Sequence, residues 1–562
     1  MSKNWFIIIL LSSKSINFEE THFRMRLILP LTILLISITI VGCGPSDPPT
    51  DLTKEGIIPK PVSVVATKKS FELTADSEIY VENDSLYFLG KYLSDRFKTA
   101  TGFNIPVKIG SEIPSTDAIF LTAKSDQNLA PEGYSLIVDE DYVKLSAPRL
   151  HGLFNGLQTL RQLLPPKIES STLQDGPWKI SSGVIRDYPQ YSWRGSMLDV
   201  ARHFFSVEDV KRYIDLISYY KMNVLHLHLS DDQGWRIEIK SWPNLAKHGG
   251  KTEVGGGKGG FFTQEQYSDI VAYAQQRFIT IVPEIDLPGH INSALASYGE
   301  LNGGIIVPGE GKTSDKTPQQ DLGIKPPTST TLYTGIAVGW STLRVDKPVT
   351  FKFVEDVIRE ISAITPGPYF HIGGDEAHVT PKQDYITFIN KFKGIVKKNN
   401  KTMIGWEEIS QANIDMDVMT QYWNKPKNAE RAVAKMSKLI LSPAKKAYLD
   451  MSYDSTTKLG LHWAAYIEVD RAYDWKLSTI LHGIQKDYIL GIEAPLWSET
   501  ITTMDELEFL AFPRLPGYAE IGWSPEEKRT WDEYRLRLGY HGARMKAMGI
   551  DFYRSPKVDW RE

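Results

Sequence analysis

The chain has 562 residues, 42% hydrophobic and 11% aromatic, with fourteen Trp, a single Cys and a net charge of −4 in which both signs are mixed. That is too long for one ordinary domain and ample for a large core, and an α/β barrel could use well over half of it. The charge pattern gives no sign of a nucleic-acid partner, and no cysteine pair is available.

In chain order, Met25-Arg26 and the apolar run "LILPLTILLISITIV" form a charged n-region and an h-region too short for a comfortable membrane span. "IVGC", Ile40 to Cys43, and the polar "GPSDPPTD" follow. Small residues before a Cys at this point resemble a bacterial lipoprotein signal, with Cys43 as the acylated N-terminus. A plain signal peptide, or an uncleaved anchor with an incidental Cys, is the alternative. The expectations are a signal over 1–43, translation starting at Met25, a flexible tether over 44–56, and export to a bacterial envelope membrane through the lipid.

Residues 57–175 read as an accessory α+β domain. Short strands ("SEIYVE", "DAIFLTA", "YSLIVDEDYVKLSAP") mix with two helices ("DSLYFLGKYLSDRFKTAT", "RLHGLFNGLQTLRQLL") and no cluster of catalytic residue types. From about Tyr191 the texture changes. Eight short apolar runs follow: "GSMLDVAR", "NVLHLHLSDD", "TIVPEIDLPGH", "YFHIGGDE", "TMIGWEE", "DVMTQYW", "LILSPAKKAYLD" and "YILGIEAPLWSE". Amphipathic helices separate several of them, two opening on capping boxes, Ser206–Asp209 and Thr263–Gln266. Buried parallel strands read as near-continuous apolar runs, so eight of them predict a (β/α)8 TIM barrel, placed over 190–530. The Gly/Pro/Thr-rich stretch Leu301–Pro348 is expected to be a partly mobile barrel-top excursion. A helical segment over 531–562 is expected to pack on the barrel.

His226-x-His228 would put two imidazoles on one face of a strand, as a metal site needs. The fifth and sixth runs supply no further His, so packed barrel histidines are the better reading. Carboxylates dominate the strand ends: Asp231, Asp232, Glu284, Asp286, Asp375, Glu376, Glu407, Glu408, Asp450 and Glu499, with Trp406, Trp423, Trp463 and Trp497 among or near them. Carboxylates with Trp, and no phosphate-binding Gly loop, point to glycoside hydrolysis. In "HIGGDEAH", Asp375 and Glu376 are adjacent, so they can serve one substrate only where the strand ends, and then from one wall. Double displacement prefers two carboxyls across the sugar, roughly 5–5.5 Å apart.

The run Trp193–Trp523 resembles glycoside hydrolase family 20, the exo-acting β-N-acetylhexosaminidases. "RGSMLDVARHFF", "NVLHLHLSDDQGWR", "PEIDLPGH", "YTGIAVGWSTL", "HIGGDEAH", "GWEE", "AYLDMSYD" and "APLWSE" carry the likeness, in family order. The small α+β domain resembles the one that commonly precedes the family's barrel. The resemblance implies that the substrate's own 2-acetamido oxygen is the nucleophile, giving an oxazolinium-type intermediate and net retention. It implies that Glu376 is the general acid and then base, and that Asp375 holds the acetamido N–H. Tyr448 would donate to the acetamido oxygen, with Trp406, Trp423 and Trp497 around the acetyl methyl. Arg202, Asp450 and Glu499 would take ring hydroxyls, and Trp463 would flank the entrance. Asp231 and His290 would form a relay that orients Glu376 and tunes its pKa, which general-acid work would raise. No metal or cofactor is implied, and the substrates would be N-acetylhexosamine-containing glycans or chitooligosaccharides. A non-catalytic glycan-binding lipoprotein is the rival reading; it would keep the Trp pocket without needing the Asp–Glu pair.

Overall fold

The computed structural model describes residues 50–113, 116–124, 129–308 and 328–561; Cys43, the signal and most of the tether lie outside them. No helix among the described residues is long and apolar enough to cross a membrane. Residues from Thr50 onward form one compact unit.

A mixed seven-stranded sheet comes first: β1 (Ser63–Glu72), β2 (Glu78–Val81), β3 (Val107–Ile109), β4 (Ala118–Thr122), β5 (Tyr134–Val138), β6 (Tyr142–Ser146) and β7 (Lys179–Asp187), ordered β1-β7-β5-β6-β4-β2-β3. The two expected helices form over Tyr87–Thr101 and Leu150–Leu163. The second is buried around almost its whole circumference. Its Gln162 amide donates to the Tyr219 carbonyl of a barrel helix, and Arg161 lies over the Tyr219 ring.

Three boundaries differ from the sequence reading. β7 pairs with β1 and β5, so the first domain runs to Asp187 rather than 175. Asp187, fully buried, accepts from Tyr134, Lys221 and the Trp523 indole, which fastens that strand end to the barrel. The expected tether is packed from Leu52, which joins the first domain's core, and Glu55 accepts from Ser181. The C-terminal helix, Trp531–Ala547, lies in the seam between both domains rather than on the barrel alone. Arg544 donates to the carbonyls of Arg161, Gln162 and Leu164, and Arg537 makes two 2.7 Å bonds to Glu520 and one to the Ile57 carbonyl.

The eight apolar runs become β8 (Trp193–Asp199), β9 (Val224–His228), β10 (Thr280–Glu284), β11 (Tyr369–His371), β12 (Thr402–Trp406), β13 (Val418–Tyr422), β14 (Lys438–Leu441) and β15 (Ile489–Leu496). They close into a parallel barrel, β15 pairing with β8. Both anticipated capping boxes form. In this fold the loops after the strands build the functional face. The excursion after β10 belongs to that face; its segment 309–327 lies outside the described residues. Its later part, from Tyr333, is tied down by Tyr333 packing on buried Trp340 and by Gln233 bonding the Gly335 carbonyl.

Candidate active site

Each barrel strand delivers to its C-terminal end at least one residue singled out from the sequence. Arg202 follows β8, Asp231 β9, His290 β10, and Asp375 with Glu376 follow β11. Trp406 closes β12 and Trp423 follows β13. Tyr448, Asp450 and Trp463 lie after β14, and Trp497 with Glu499 end β15.

Local backbone chemistry explains how neighbouring carboxyls share a pocket. After His371 the chain leaves the sheet through Gly373 (φ 65°) and Gly374 (φ 96°), and Glu376 itself sits at φ 43°. A side chain on Gly373 would put its Cβ 1.8 Å from Asp286 Oδ1, so only glycine fits there. The turn is pinned on three sides: Gly374 N–H donates to Asp286 Oδ1 at 2.9 Å, the Tyr385 hydroxyl donates to the Gly374 carbonyl at 2.6 Å, and Trp406 N–H donates to the Gly373 carbonyl at 2.9 Å. The left-handed residue at Glu376 removes the alternation that would have sent the two side chains to opposite faces.

A chain of polar contacts leads to these carboxyls. Arg202 spans Asp199 (3.3 Å) and Asp231 (2.8 Å) while its guanidinium lies 4.8 Å over the Trp497 ring. Asp231 also faces His290 Nδ1 at 3.2 Å. His290 Nε2 then points between the two carboxyls, 3.6 Å from Glu376 Oε2 and 3.9 Å from Asp375 Oδ2. Aromatic rings form the rest of the wall: Trp406–Trp497 at 5.8 Å, Trp497–Tyr448 at 6.3 Å, Tyr448–Trp463 at 6.1 Å and Trp463–Trp423 at 6.1 Å. Trp463 is 56% exposed, whereas the other three tryptophans are buried.

Several buried polar atoms here pair with no protein group: both oxygens of Asp450, Glu499 Oε2, Asp375 Oδ1 and Arg202 Nε. Buried polar atoms are ordinarily bonded, so a cluster of exceptions beside an aromatic wall suits a ligand rich in hydroxyl and amide groups.

The electrostatics depart from the expectation for Glu376. Burial pushes its carboxyl up, but the facing His290 and the charges of His378 and Arg202 outweigh this and hold it below the usual range. The raised carboxyl is Asp375, through burial and then the charge of Asp286. Asp286 is itself raised, chiefly by burial, so this pair of neighbouring carboxyls keeps one proton near neutral pH. His290 is raised well above an ordinary histidine: burial opposes the charge, and Asp231 more than restores it.

Sequence reasoning named Asp286, Glu284, Glu407 and Glu408 only as strand-end carboxylates, without roles. Asp286 supports the turn and adjoins Asp375. Glu407 caps the backbone N–H groups of Trp423, Asn424 and Lys425, and Glu408 accepts from the Trp423 indole at 3.2 Å, so "GWEE" fixes the Trp423 ring. Spacing held no signal for these pairings, because each crosses to another strand. His226, Glu284 and His371 converge closely enough to suggest a metal. Glu284 accepts from Trp406 and His228, and His371 Nδ1 accepts from Gly373 N–H, while Nε2 of His226 and of His371 makes no hydrogen bond.

A TIM barrel with an aromatic-walled pocket, unpaired buried polar atoms and two adjacent carboxyls is the fold and site of a glycoside hydrolase. The chain belongs to glycosyl hydrolase family 20: the model of its catalytic domain matches residues 191–386 and 379–526, and that of its domain 2 matches 54–188. A beta-N-acetylhexosaminidase of Cellulomonas fimi is 37% identical over 90% of this chain and 97% of its own. The GH20 beta-N-acetylhexosaminidase structure from Streptomyces coelicolor superposes with a TM-score of 0.84 at 45% identity, covering 91% of this chain and 100% of its own. A mutant Streptomyces plicatus beta-hexosaminidase in complex with its product, GlcNAc, gives 0.84 at 46% identity over 92% and 99%.

Proposed function

We propose that the protein is an exo-acting, retaining β-N-acetylhexosaminidase that removes terminal β-linked GlcNAc or GalNAc by substrate-assisted catalysis. The observation that carries this is the turn after β11, which aims Asp375 and Glu376 from one strand end into one pocket. Two carboxyls on one wall cannot straddle a sugar as acid and nucleophile, whereas they can act on neighbouring atoms of it. The acetamido oxygen bonds to the anomeric carbon as the glycosidic bond breaks, and the leaving oxygen takes the proton from Glu376. Asp375 accepts the acetamido N–H and offsets the positive charge that develops on the ring formed. The proton held by this carboxyl pair has to pass from Asp375 to Asp286 before Asp375 can accept. Water then attacks the anomeric carbon, returns a proton to Glu376 and releases the acetamide, so the β configuration is retained. Tyr448 donates to the acetamido oxygen, and Asp450, Glu499 and Arg202 take the ring hydroxyls.

Hydrolysis of p-nitrophenyl N-acetyl-β-glucosaminide and -galactosaminide, compared with p-nitrophenyl β-glucoside, tests the reading. Strong preference for the N-acetyl sugars is expected, and equal rates on the plain glucoside would overturn it, because that substrate lacks the internal nucleophile.

The enzyme is further proposed to be exported and held at a bacterial envelope membrane by acylation of Cys43, on the strength of the "IVGC" motif after an apolar run. The mass of the native N-terminal peptide decides this: a diacyl-glyceryl Cys43 supports it, and an unmodified residue there refutes it.

A further inference from the structure

Below the site, the barrel interior holds a ladder of alternating carboxylates and imidazoles. Glu493 on β15 accepts from the Trp193 indole (2.9 Å) and from Gln421 (2.8 Å), and faces His226 Nδ1 at 2.8 Å. His226 Nε2 is 3.0 Å from Glu284 Oε2, and the same oxygen lies 2.5 Å from His228 Nδ1. His228 Nε2 reaches Asp231 Oδ2 at 3.0 Å, and Asp231 Oδ1 meets His290, which faces Glu376. Every rung from Glu493 to His290 is at most 2% exposed. Glu284 is the branch point, for its other oxygen accepts the Trp406 indole N–H at 3.0 Å.

We propose that Glu284 is a positioning residue that joins the two halves of the site: through His228 and Asp231 it sets where the proton rests between His290 and Glu376, and through Trp406 it fixes one wall of the acetyl pocket. This rests on the hexosaminidase reading. The groups facing Glu284 are His226 and His228 from β9, His371 from β11 and Trp406 from β12. Those facing His290 and Glu376 are Asp231, Asp232, Asp286, Asp375, His378 and Arg202. His371 Nδ1 lies 2.9 Å from Glu284 and 3.1 Å from Gly373 N, and burial lowers this imidazole, so it is a neutral neighbour of Glu284. His226 and His228, each between two carboxylates, are imidazolium ions despite burial.

Glu284→Gln isolates the charge. Its amide oxygen still accepts from Trp406, and its two N–H groups can donate to His226 Nε2 and His228 Nδ1. Each imidazole then keeps its other N–H on Glu493 or Asp231 and becomes neutral, so hydrogen bonds persist while one anion and two cations disappear. Asp231 loses the cation 3.0 Å away and holds the proton of His290 more tightly. The proton shared by His290 and Glu376 therefore leaves at higher pH, yet rests less on Glu376.

The test is the pH profile of kcat/KM for the full chain on p-nitrophenyl N-acetyl-β-glucosaminide. In Glu284→Gln the alkaline limb should move up by ~0.5 pH unit or more, with a lower plateau. Glu493→Gln, one rung further out, should shift the same limb the same way by less, and it serves if the first variant fails to fold. Trp406→Phe, which removes the indole bond and part of the ring but leaves the Glu284 charge, should raise KM and leave the limb unmoved. A limb in folded Glu284→Gln or Glu493→Gln that superimposes on the parent, or moves down, overturns the proposal. A parent enzyme without activity on this sugar overturns the hexosaminidase reading instead, so the two failures are distinguishable.

Discussion

Replacing Gly373 with alanine tests whether the turn, rather than the carboxyls alone, makes the site. Gly373 has φ 65°, a left-handed conformation that costs an L side chain ~1 kcal/mol. The added Cβ would lie 1.8 Å from Asp286 Oδ1, 2.1 Å from its Cγ and 2.7 Å from its Cα. Rotating the Asp286 side chain cannot relieve the contact with Cα, so backbone must move. Asp286 then withdraws from Gly374 N–H, and a buried donor left unpaired costs ~1–3 kcal/mol. A total loss of about 3 kcal/mol in stability is expected. The functional loss should be larger than stability explains, because a displacement of ~1 Å at reacting groups costs ~100-fold. The assays are urea unfolding and kcat/KM on the chromogenic N-acetyl sugar, both at a temperature where the variant is folded. Gly394→Ala is the control: it lies within the helix Lys382–Lys398, its Cβ would meet nothing within 4 Å, and it should gain ~0.5–1 kcal/mol with unchanged activity. A folded Gly373→Ala enzyme within threefold of the parent would refute the argument.

Glu376→Gln should lower turnover of an N-acetyl oligosaccharide by ~10²–10⁴-fold, read by product release, and near-normal turnover contradicts its role as acid. Asp375→Asn should reduce kcat on N-acetyl sugars with an unchanged unfolding midpoint; unaffected kcat would remove it from the reaction. Trp463→Ala should raise KM for oligosaccharides while leaving stability alone, since its ring is more than half exposed, and a drop in unfolding midpoint would mark it as structural. His541 is buried neutral between the Tyr220 hydroxyl and the Gly56 carbonyl, its pKa lowered to about 3 by burial and then by Arg544. A depressed histidine gives stability that is present above its unfolded value, ~6.5, and is lost as pH falls towards 3. Between pH 6.5 and 5 His541 should contribute a loss of up to ~2 kcal/mol. It is read by urea unfolding as the difference in slope between the parent and His541→Gln, because the raised His226, His228 and His290 act in the opposite sense.

The barrel was legible because its strands are buried on both faces and so read as unbroken apolar runs. All eight runs became strands in register, and the capping boxes at Ser206 and Thr263 marked helix starts. The first domain was harder to bound. β7 carries Ser181, Ser182 and Gly183 in its middle, a weak strand signal, and its place is set by pairing with β1 and β5 far off in sequence. Leu52 and Glu55 likewise looked like linker until the core and Ser181 supplied partners.

Within the site, residue type and strand-end position nominated the carboxylates and tryptophans, and the family resemblance nominated Arg202, His290 and Tyr448, but neither ranked their acidity. Glu376 was expected to be raised by burial, and burial does push it up. What decides the outcome is His290, which arrives from β10 on a left-handed turn and faces the carboxyl with a proton that Asp231 secures. The same strand end sends Asp286 to Asp375, so the neighbouring carboxyl is raised instead. Glu284 closes β10 and Asp286 lies two residues beyond it, in the loop that follows. Asp286 then sets the charge of Asp375, while Glu284, through His228 and Asp231, reaches Glu376. Two adjacent carboxyls thus acquire opposite protonation tendencies from two residues spaced two apart at the end of the preceding strand. Neither tendency can be read from "HIGGDEAH", because the groups that impose them belong to "PEID" and "LHLHLSDD" and meet it only across the barrel.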